Sequence, residues 1–237
     1  MTTKHFLNLR DLSNQDILNV LDRAIERKSQ KQKEKTLIGS KLGLIFEKPS
    51  TRTRISFESG VLNLGGNAIF MSSTDLQLSR GEPVSDTAKV ASSMLDVIAL
   101  RVDKHETLEM FASNSSVPVI NALSDLSHPC QILADLMTFK ENSANELEKV
   151  CWIGDGNNVC NSYVEASKIL DFELSIYCPK EYSPDPSFLN YAKENSSFAN
   201  SREEAAKGAD IITTDVWVSM GDEKTKERAF QGYFVDT

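Results

Sequence analysis

The feature that most constrains this chain is a repeated alternation of short apolar runs with longer amphipathic or polar segments. Leu42–Phe46, Ala68–Met71, Val97–Leu100 and Val119–Asn121 each have strand length. Between them lie Thr51–Leu64, Pro83–Met94 and Glu106–Asn114, with His128–Lys140 following, all of helical length. Strands that alternate with helices predict βαβ units around a mainly parallel sheet. Ahead of them, Ser13 and Asp16 have the spacing of a helix cap, and Ile17, Leu18, Leu21 and Ile25 recur at helical intervals. Lys, Gln, Glu and Arg dominate 27–35, as expected for a solvated helix end or loop. The Gly65-Gly66 pair marks a helix end.

Polar residues 141–145 interrupt the pattern, and the alternation restarts beyond them. The expected fold class is therefore α/β, with two doubly wound parallel-sheet domains at 1–140 and 146–237 and the active site between them. In the second half the reading gives strands at Val150–Ile153, Leu174–Cys178 and Ile211–Thr214. Its helices follow a Gly-Asp-Gly-Asn-Asn turn to about Leu170, span Pro186–Asn195 and Arg202–Lys207, and close with a charged helix at Asp222–Phe230. Three strands make a thin sheet, so the second domain is expected to be incomplete.

Composition removes several classes of partner. A net charge of −8 offers no basic stripe for a nucleic-acid backbone. No apolar run approaches the roughly 18 residues that span a bilayer, and the first residues lack a signal-peptide core, so the expected compartment is the cytoplasm. The four cysteines, at 130, 151, 160 and 178, have neither C-x-x-C nor zinc-finger spacing. They read as buried packing residues, with no metal or organic cofactor expected.

Chemistry concentrates in a few places. In Phe46-Glu47-Lys48-Pro49-Ser50-Thr51-Arg52-Thr53-Arg54 an apolar strand gives way to hydroxyls and guanidiniums at a helix start. Free N–H groups, the positive helix end and Arg forks make an anion site there; the competing reading is a helix capped by Ser50 with surface arginines. His128 sits at the next such helix start, before Pro129, with Gln131 close behind, and Arg101 ends an apolar strand. Gly154-Asp155-Gly156-Asn157-Asn158 after a strand suggests a nicotinamide-dependent dehydrogenase, but Val159 replaces the third glycine of that fingerprint.

Together with Ser56-Phe57-Glu58, the loop Gln77-Leu78-Ser79-Arg80-Gly81-Glu82 and Ile132-Leu133-Ala134-Asp135, these segments resemble the aspartate and ornithine carbamoyltransferase superfamily. Gly154–Asn158, Thr214-Asp215-Val216-Trp217, Ser219-Met220-Gly221 and Phe230-Gln231-Gly232-Tyr233 resemble its ornithine branch. The resemblance implies that Ser50, Thr51, Arg52, Thr53 and Arg54 hold the phosphate of carbamoyl phosphate, while Arg101, His128 and Gln131 meet its carbamoyl end. Arg52, Thr53, Arg101, His128 and Gln131 form the implied catalytic group. Gln77 would reach into a neighbouring subunit's site, implying a homotrimer with shared active sites. Asn158, Asp215, Ser219 and Met220 match ornithine-binding positions.

The implied reaction gives citrulline and phosphate in arginine metabolism. The resemblance further implies a strand, a His-Cys-Leu-Pro loop and a closing helix after the last segment matched here. From their absence the sequence predicts little turnover by this chain alone and an exposed apolar groove on the first domain. The alternatives are a catalytically impaired carbamoyl-phosphate-binding fragment and a carbamoyltransferase for another amine such as putrescine.

Overall fold

The computed structural model describes residues 3–30, 34–72, 76, 81–217 and 224–236. Gln77, Ser219 and Met220, with the rest of 77–80 and 218–223, lie outside the described residues. By contact the chain divides into two compact units, Met1–Cys130 and Gln131–Thr237.

The first unit begins with α1 (Asn14–Ser29), where the Ser13 hydroxyl accepts from Asp16 N–H and the Asp16 carboxylate accepts from Ser13 N–H. Its sheet contains β1 (Lys41–Phe46), β2 (Asn67–Ser72), β3 (Val97–Arg101) and β4 (Val119–Leu123), all parallel in the order β2-β1-β3-β4. The connecting helices are α2 (Thr51–Asn63), α3 (Val84–Ser92) and α4 (His105–Asn114).

Side chains alternate across a strand, and β1 shows the result directly. Leu42, Leu44 and Phe46 pack with Val61 of α2, whereas Ile45 faces Ala88 and Ala91 of α3 and Leu108 and Phe111 of α4. The chain thus leaves β1 over one face and returns to β3 over the other. That reversal places the topological switch between the carboxyl ends of β1 and β3, where ligands bind in open α/β sheets.

The second unit repeats the device. β5 (Lys149–Ile153), β6 (Glu173–Tyr177), β7 (Ser196–Phe198) and β8 (Ile211–Thr213) run parallel in the order β7-β6-β5-β8. They alternate with α6 (Asn158–Leu170), α7 (Pro186–Tyr191) and α8 (Arg202–Ala206), while α5 (Pro129–Asn142) carries the chain across the division. Cys151 and Ile153 pack with Ala205 of α8. Trp152, also fully buried, lies 5.9 Å from the Tyr163 ring of α6. The switch here falls between β5 and β8.

Three expectations for this half need correction. The sheet has four strands, not three, because β7 is a short Ser-Ser-Phe edge strand with little apolar content. The helix expected over Pro186–Asn195 ends at Tyr191, since the chain must turn back to enter β7. Lys224–Phe230 is a 3-10 helix, anchored through Lys226 and the buried Phe230.

No described helix is long and apolar enough to cross a membrane. Cys151 and Cys160 are buried as expected, whereas Cys130 and Cys178 are half-buried. Burial pushes the Cys130 thiol up to about 12, and those of Cys151 and Cys178 up to about 11.

Candidate active site

In the first unit, Phe46 at the end of β1 lies in register with Arg101 at the end of β3. A register shift between Leu100 and Arg101 marks a bulge, a device that re-aims a side chain near a strand end. Arg101 Nη1 donates to Ser50 Oγ at 3.4 Å. Ser50 occupies the N-cap position of α2 but makes no capping hydrogen bond, so the cap half of the competing reading fails, although Arg52 does lie at the surface.

The α2 N-terminus therefore adjoins a guanidinium. Burial, reinforced by the charge of Arg52, lowers the Arg101 pKa, with Asp103 opposing the shift. Arg101 Nε is buried without a hydrogen-bond partner. An orphaned donor beside a second cation and a helix N-terminus is the arrangement an anion would complete.

Nearby carboxylates are engaged elsewhere. Asp103 pairs with Lys48 at 2.9 Å, and Glu47 accepts from Asp103 N–H at 2.6 Å. Arg54 has other partners too: its Nε donates to Glu58 at 2.9 Å, and its guanidinium lies 3.6 Å above the Phe70 ring centroid. Arg52 and Thr51 are exposed on the first turn of α2, and Thr53 is half-buried.

His128 follows β4, the strand beside β3, and immediately precedes Pro129 at the start of α5. The carboxyl ends of β1, β3 and β4 thus carry Ser50 to Arg54, Arg101 and His128 along one edge of the sheet. Cys130 behind them donates its thiol to Asn121 O at 3.4 Å, a packing role.

A buried polar network supports this edge, and periodicity gave no sign of it. Ser127 Oγ donates to Asn8 Oδ1 at 2.9 Å, which turns the Asn8 amide so that Nδ2 faces His105 Nε2 at 3.3 Å. His105 Nε2 is then the acceptor, and Nδ1–H donates to Ser124 Oγ at 2.8 Å. Asn121 Nδ2 donates to Ser127 Oγ at 3.0 Å, closing the turn that leads to His128.

This network requires a neutral imidazole. Burial lowers the His105 pKa against the opposing pull of Glu109, Asp125, Glu106 and Asp11. The unfolded chain binds the proton more readily, so this contribution to stability is present at neutral pH and is lost as pH falls through the ordinary value of 6.5. Thermal scans from pH 7.5 to 5.5 should show the midpoint falling by roughly 2–4 °C. His105→Gln should flatten the dependence; an unchanged slope would locate the titration elsewhere, with His5, also lowered chiefly by burial, the next group to replace.

In the second unit, the β5 turn needs both glycines. Gly154 has φ +127°, which L side chains rarely adopt, and a Cβ on Gly156 would lie 2.4 Å from Pro184 N and 2.5 Å from Tyr182 O. The turn is packed against that backbone, which the dehydrogenase reading would leave open for a dinucleotide.

The turn delivers Asn157, whose Oδ1 caps α6 by accepting from Val159 and Cys160 N–H. This fixes Nδ2, which donates to Asp215 Oδ2 at 2.9 Å just beyond β8. Asn158 is the first residue of α6. Asp215, Glu227 and Trp217 help to line a hollow of about 370 Å³. Two carboxylates and an aromatic ring suit a small cationic amine. The sequence singled out Asp215 but neither Asn157 nor Glu227, whose placement beside it depends on contacts across the fold. A larger groove along α1, lined by both charge signs, lies on a solvated helix face away from the strand ends.

Comparison with known proteins agrees with this two-part construction. Residues 4–141 match the aspartate/ornithine carbamoyltransferase carbamoyl-P binding domain, and residues 147–237 match the Asp/Orn binding domain of the same enzymes. The ornithine carbamoyltransferase of Acinetobacter baumannii strain AYE is 50% identical, with the alignment covering 100% of this chain and 79% of the relative. That of Campylobacter jejuni strain RM1221 is 49% identical, over 98% of this chain and 79% of its own length.

Among solved structures, the anabolic ornithine carbamoyltransferase of Campylobacter jejuni subsp. jejuni NCTC 11168 superposes with a TM-score of 0.92 at 47% identity, covering 99% of this chain and 80% of that one. The Thermus thermophilus enzyme gives 0.90 at 38% identity, with coverage of 99% and 80%. With two matched domains spanning nearly all of its residues, the chain belongs to the aspartate/ornithine carbamoyltransferase family.

Proposed function

We propose that this protein transfers the carbamoyl group of carbamoyl phosphate to the δ-amine of L-ornithine, giving citrulline and phosphate. Residues 1–140 serve as the carbamoyl-phosphate domain and 146–237 as the ornithine domain. The observation that carries the reading is Arg101: a half-buried guanidinium with an orphaned Nε–H, set beside Arg52 and an uncapped helix N-terminus.

Ser50, Thr51, Arg52, Thr53 and Arg54 hold the phosphate, while Arg101, His128 and Gln131 meet the carbamoyl group. Asn158, Asp215, Ser219 and Met220 bind ornithine. The δ-amine attacks with its neutral lone pair, the new C–N bond forms, the C–O bond to phosphate breaks, and one amine proton passes to the departing phosphate. Negative charge rises on the carbonyl oxygen and the departing phosphate, and preorganised cations and N–H donors stabilise both. A free δ-ammonium has a Lys-like pKa of about 10, and the neighbouring guanidinium charges favour loss of its proton.

The functional protein is a homotrimer in the cytoplasm, with Gln77 reaching a neighbouring site, and it acts in arginine metabolism. Titration calorimetry with carbamoyl phosphate, then a colorimetric citrulline assay over added ornithine, tests the chemistry, and sedimentation tests the trimer. Saturable carbamoyl-phosphate binding is expected. Binding no tighter than that of inorganic phosphate would overturn the reading.

A further inference from the structure

A glutamine amide has a donor end and an acceptor end of nearly equal size, and only its partners decide which faces outward. For Gln131, on the exposed first turn of α5, the structure specifies those partners. Its Nε2 donates to Asp135 Oδ1 at 2.9 Å, one helical turn away. Such i,i+4 pairs are common on helix surfaces and weak by themselves. This one is anchored from the interior: the hydroxyl of Tyr163, a fully buried residue of α6, donates to the other oxygen, Asp135 Oδ2, at 2.9 Å.

Tyr163 is held in turn. Burial, joined by the charge of Asp135 and the bond to it, raises the Tyr163 pKa, so the phenol keeps its proton; a hydrogen bond from the Thr213 side chain, at the end of β8, opposes that shift, as a donor to the phenolic oxygen would. With that oxygen already accepting, the Tyr163 proton goes to Asp135. Donors then reach both carboxylate oxygens, so Asp135 acts as an acceptor at each, and Gln131 must turn its NH2 inward.

We propose that Asp135 and Tyr163 are positioning residues that lock the Gln131 amide with its carbonyl oxygen outward, so that it accepts from the NH2 of a carbamoyl group. The inference rests on the function proposed above and adds the reason for discrimination. A carbamoyl moiety offers N–H donors that inorganic phosphate lacks, and an acceptor locked in place selects for them. An amide free to rotate would present either end and lose that selectivity.

Asp135→Asn tests this in the full chain. The Tyr163 hydroxyl would donate to the new amide oxygen, leaving the Asn NH2 facing Gln131. Gln131 would then rotate to present its own NH2 outward, donor against donor. The dissociation constant for carbamoyl phosphate should rise about tenfold or more, while that for inorganic phosphate stays within about twofold. Tyr163→Phe, which removes the anchor but keeps the carboxylate, should shift the same ratio by about threefold.

Equal weakening of both ligands, or no change in either, would overturn the proposal. Should Asp135→Asn not fold, Tyr163→Phe decides alone: a wild-type ratio of the two constants refutes the lock. A wild-type protein that does not prefer carbamoyl phosphate to phosphate would instead refute the substrate assignment, and this inference with it.

Discussion

Replacing Arg101 with methionine should weaken carbamoyl-phosphate binding by roughly thirtyfold to several thousandfold while leaving the unliganded protein at least as stable as before. Truncating one partner of a desolvated, hydrogen-bonded charge pair costs about 2–5 kcal/mol, and each 1.4 kcal/mol is about tenfold in affinity. The stability half of this prediction comes from the electrostatics around Arg101. Arg101 is held half-buried beside Arg52, both effects lower its pKa, and its Nε–H is orphaned. Methionine keeps most of the aliphatic packing and removes the repulsion. Function and stability thus pull in opposite directions at this residue, as they do where a binding site stores unfavourable electrostatics. Calorimetry and a thermal scan of the same preparation check both halves. A fall in affinity of less than about threefold, or a loss of affinity accompanied by a clear fall in melting temperature, would show that Arg101 is structural.

The second large effect is expected at Lys226→Met. Lys226 Nζ meets Asp155 Oδ2 at 2.5 Å, with side-chain exposures of only 17% and 6%. The ammonium also lies 5.2 Å from the Tyr182 ring centroid and 5.9 Å from that of Phe230. Removing one member of a buried pair leaves the other charge in a poorly solvating environment, at a cost of about 3–5 kcal/mol. The variant should melt roughly 10 °C lower, with the loss centred on the second unit. Asp155→Asn combined with Lys226→Met should recover part of it, because no lone carboxylate is left behind. A single-variant loss below about 1 kcal/mol would place the pair effectively in solvent. The contact bears on function as well as stability. Asp155 lies in the turn that delivers Asn157 to Asp215, and Glu227, next to Lys226, lines the same hollow.

The short apolar run Leu42–Phe46 made β1 legible, and its alternation with helical segments implied a parallel sheet, whereas the division of Leu42, Leu44 and Phe46 from Ile45 between two faces appears only in the packing. The helix start at 50–54, with its run of hydroxyls and guanidiniums, was legible because a helix start supplies free N–H groups whatever its tertiary neighbours. β7 escaped because an edge strand of two serines and an exposed phenylalanine has no period to read. The 3-10 winding of Lys224–Phe230 escaped because distant anchors at Asp155 and in the aromatic cluster of Tyr182 and Trp217 overrode local propensity. Glu227 and Tyr163 lay in no motif segment, and Asn157 and Asp135, though inside matched segments, had no local sign of the contacts they make.

Local order along the chain determined the class of fold, the number of units and the chemical types at each strand end, since periodicity, caps and helix termini act over a few residues. Only the tertiary structure decided which groups work together. It set Arg101 beside Ser50 across the β1/β3 switch, joined Asn8 to His105 and Ser124, and fixed the Gln131 amide through Asp135 and Tyr163. Those partners are 19 to 97 residues apart, except for the local Gln131–Asp135 contact. Hydrogen bonds of about 3 Å between separate elements are set by strand order and helix packing, which no window of sequence contains.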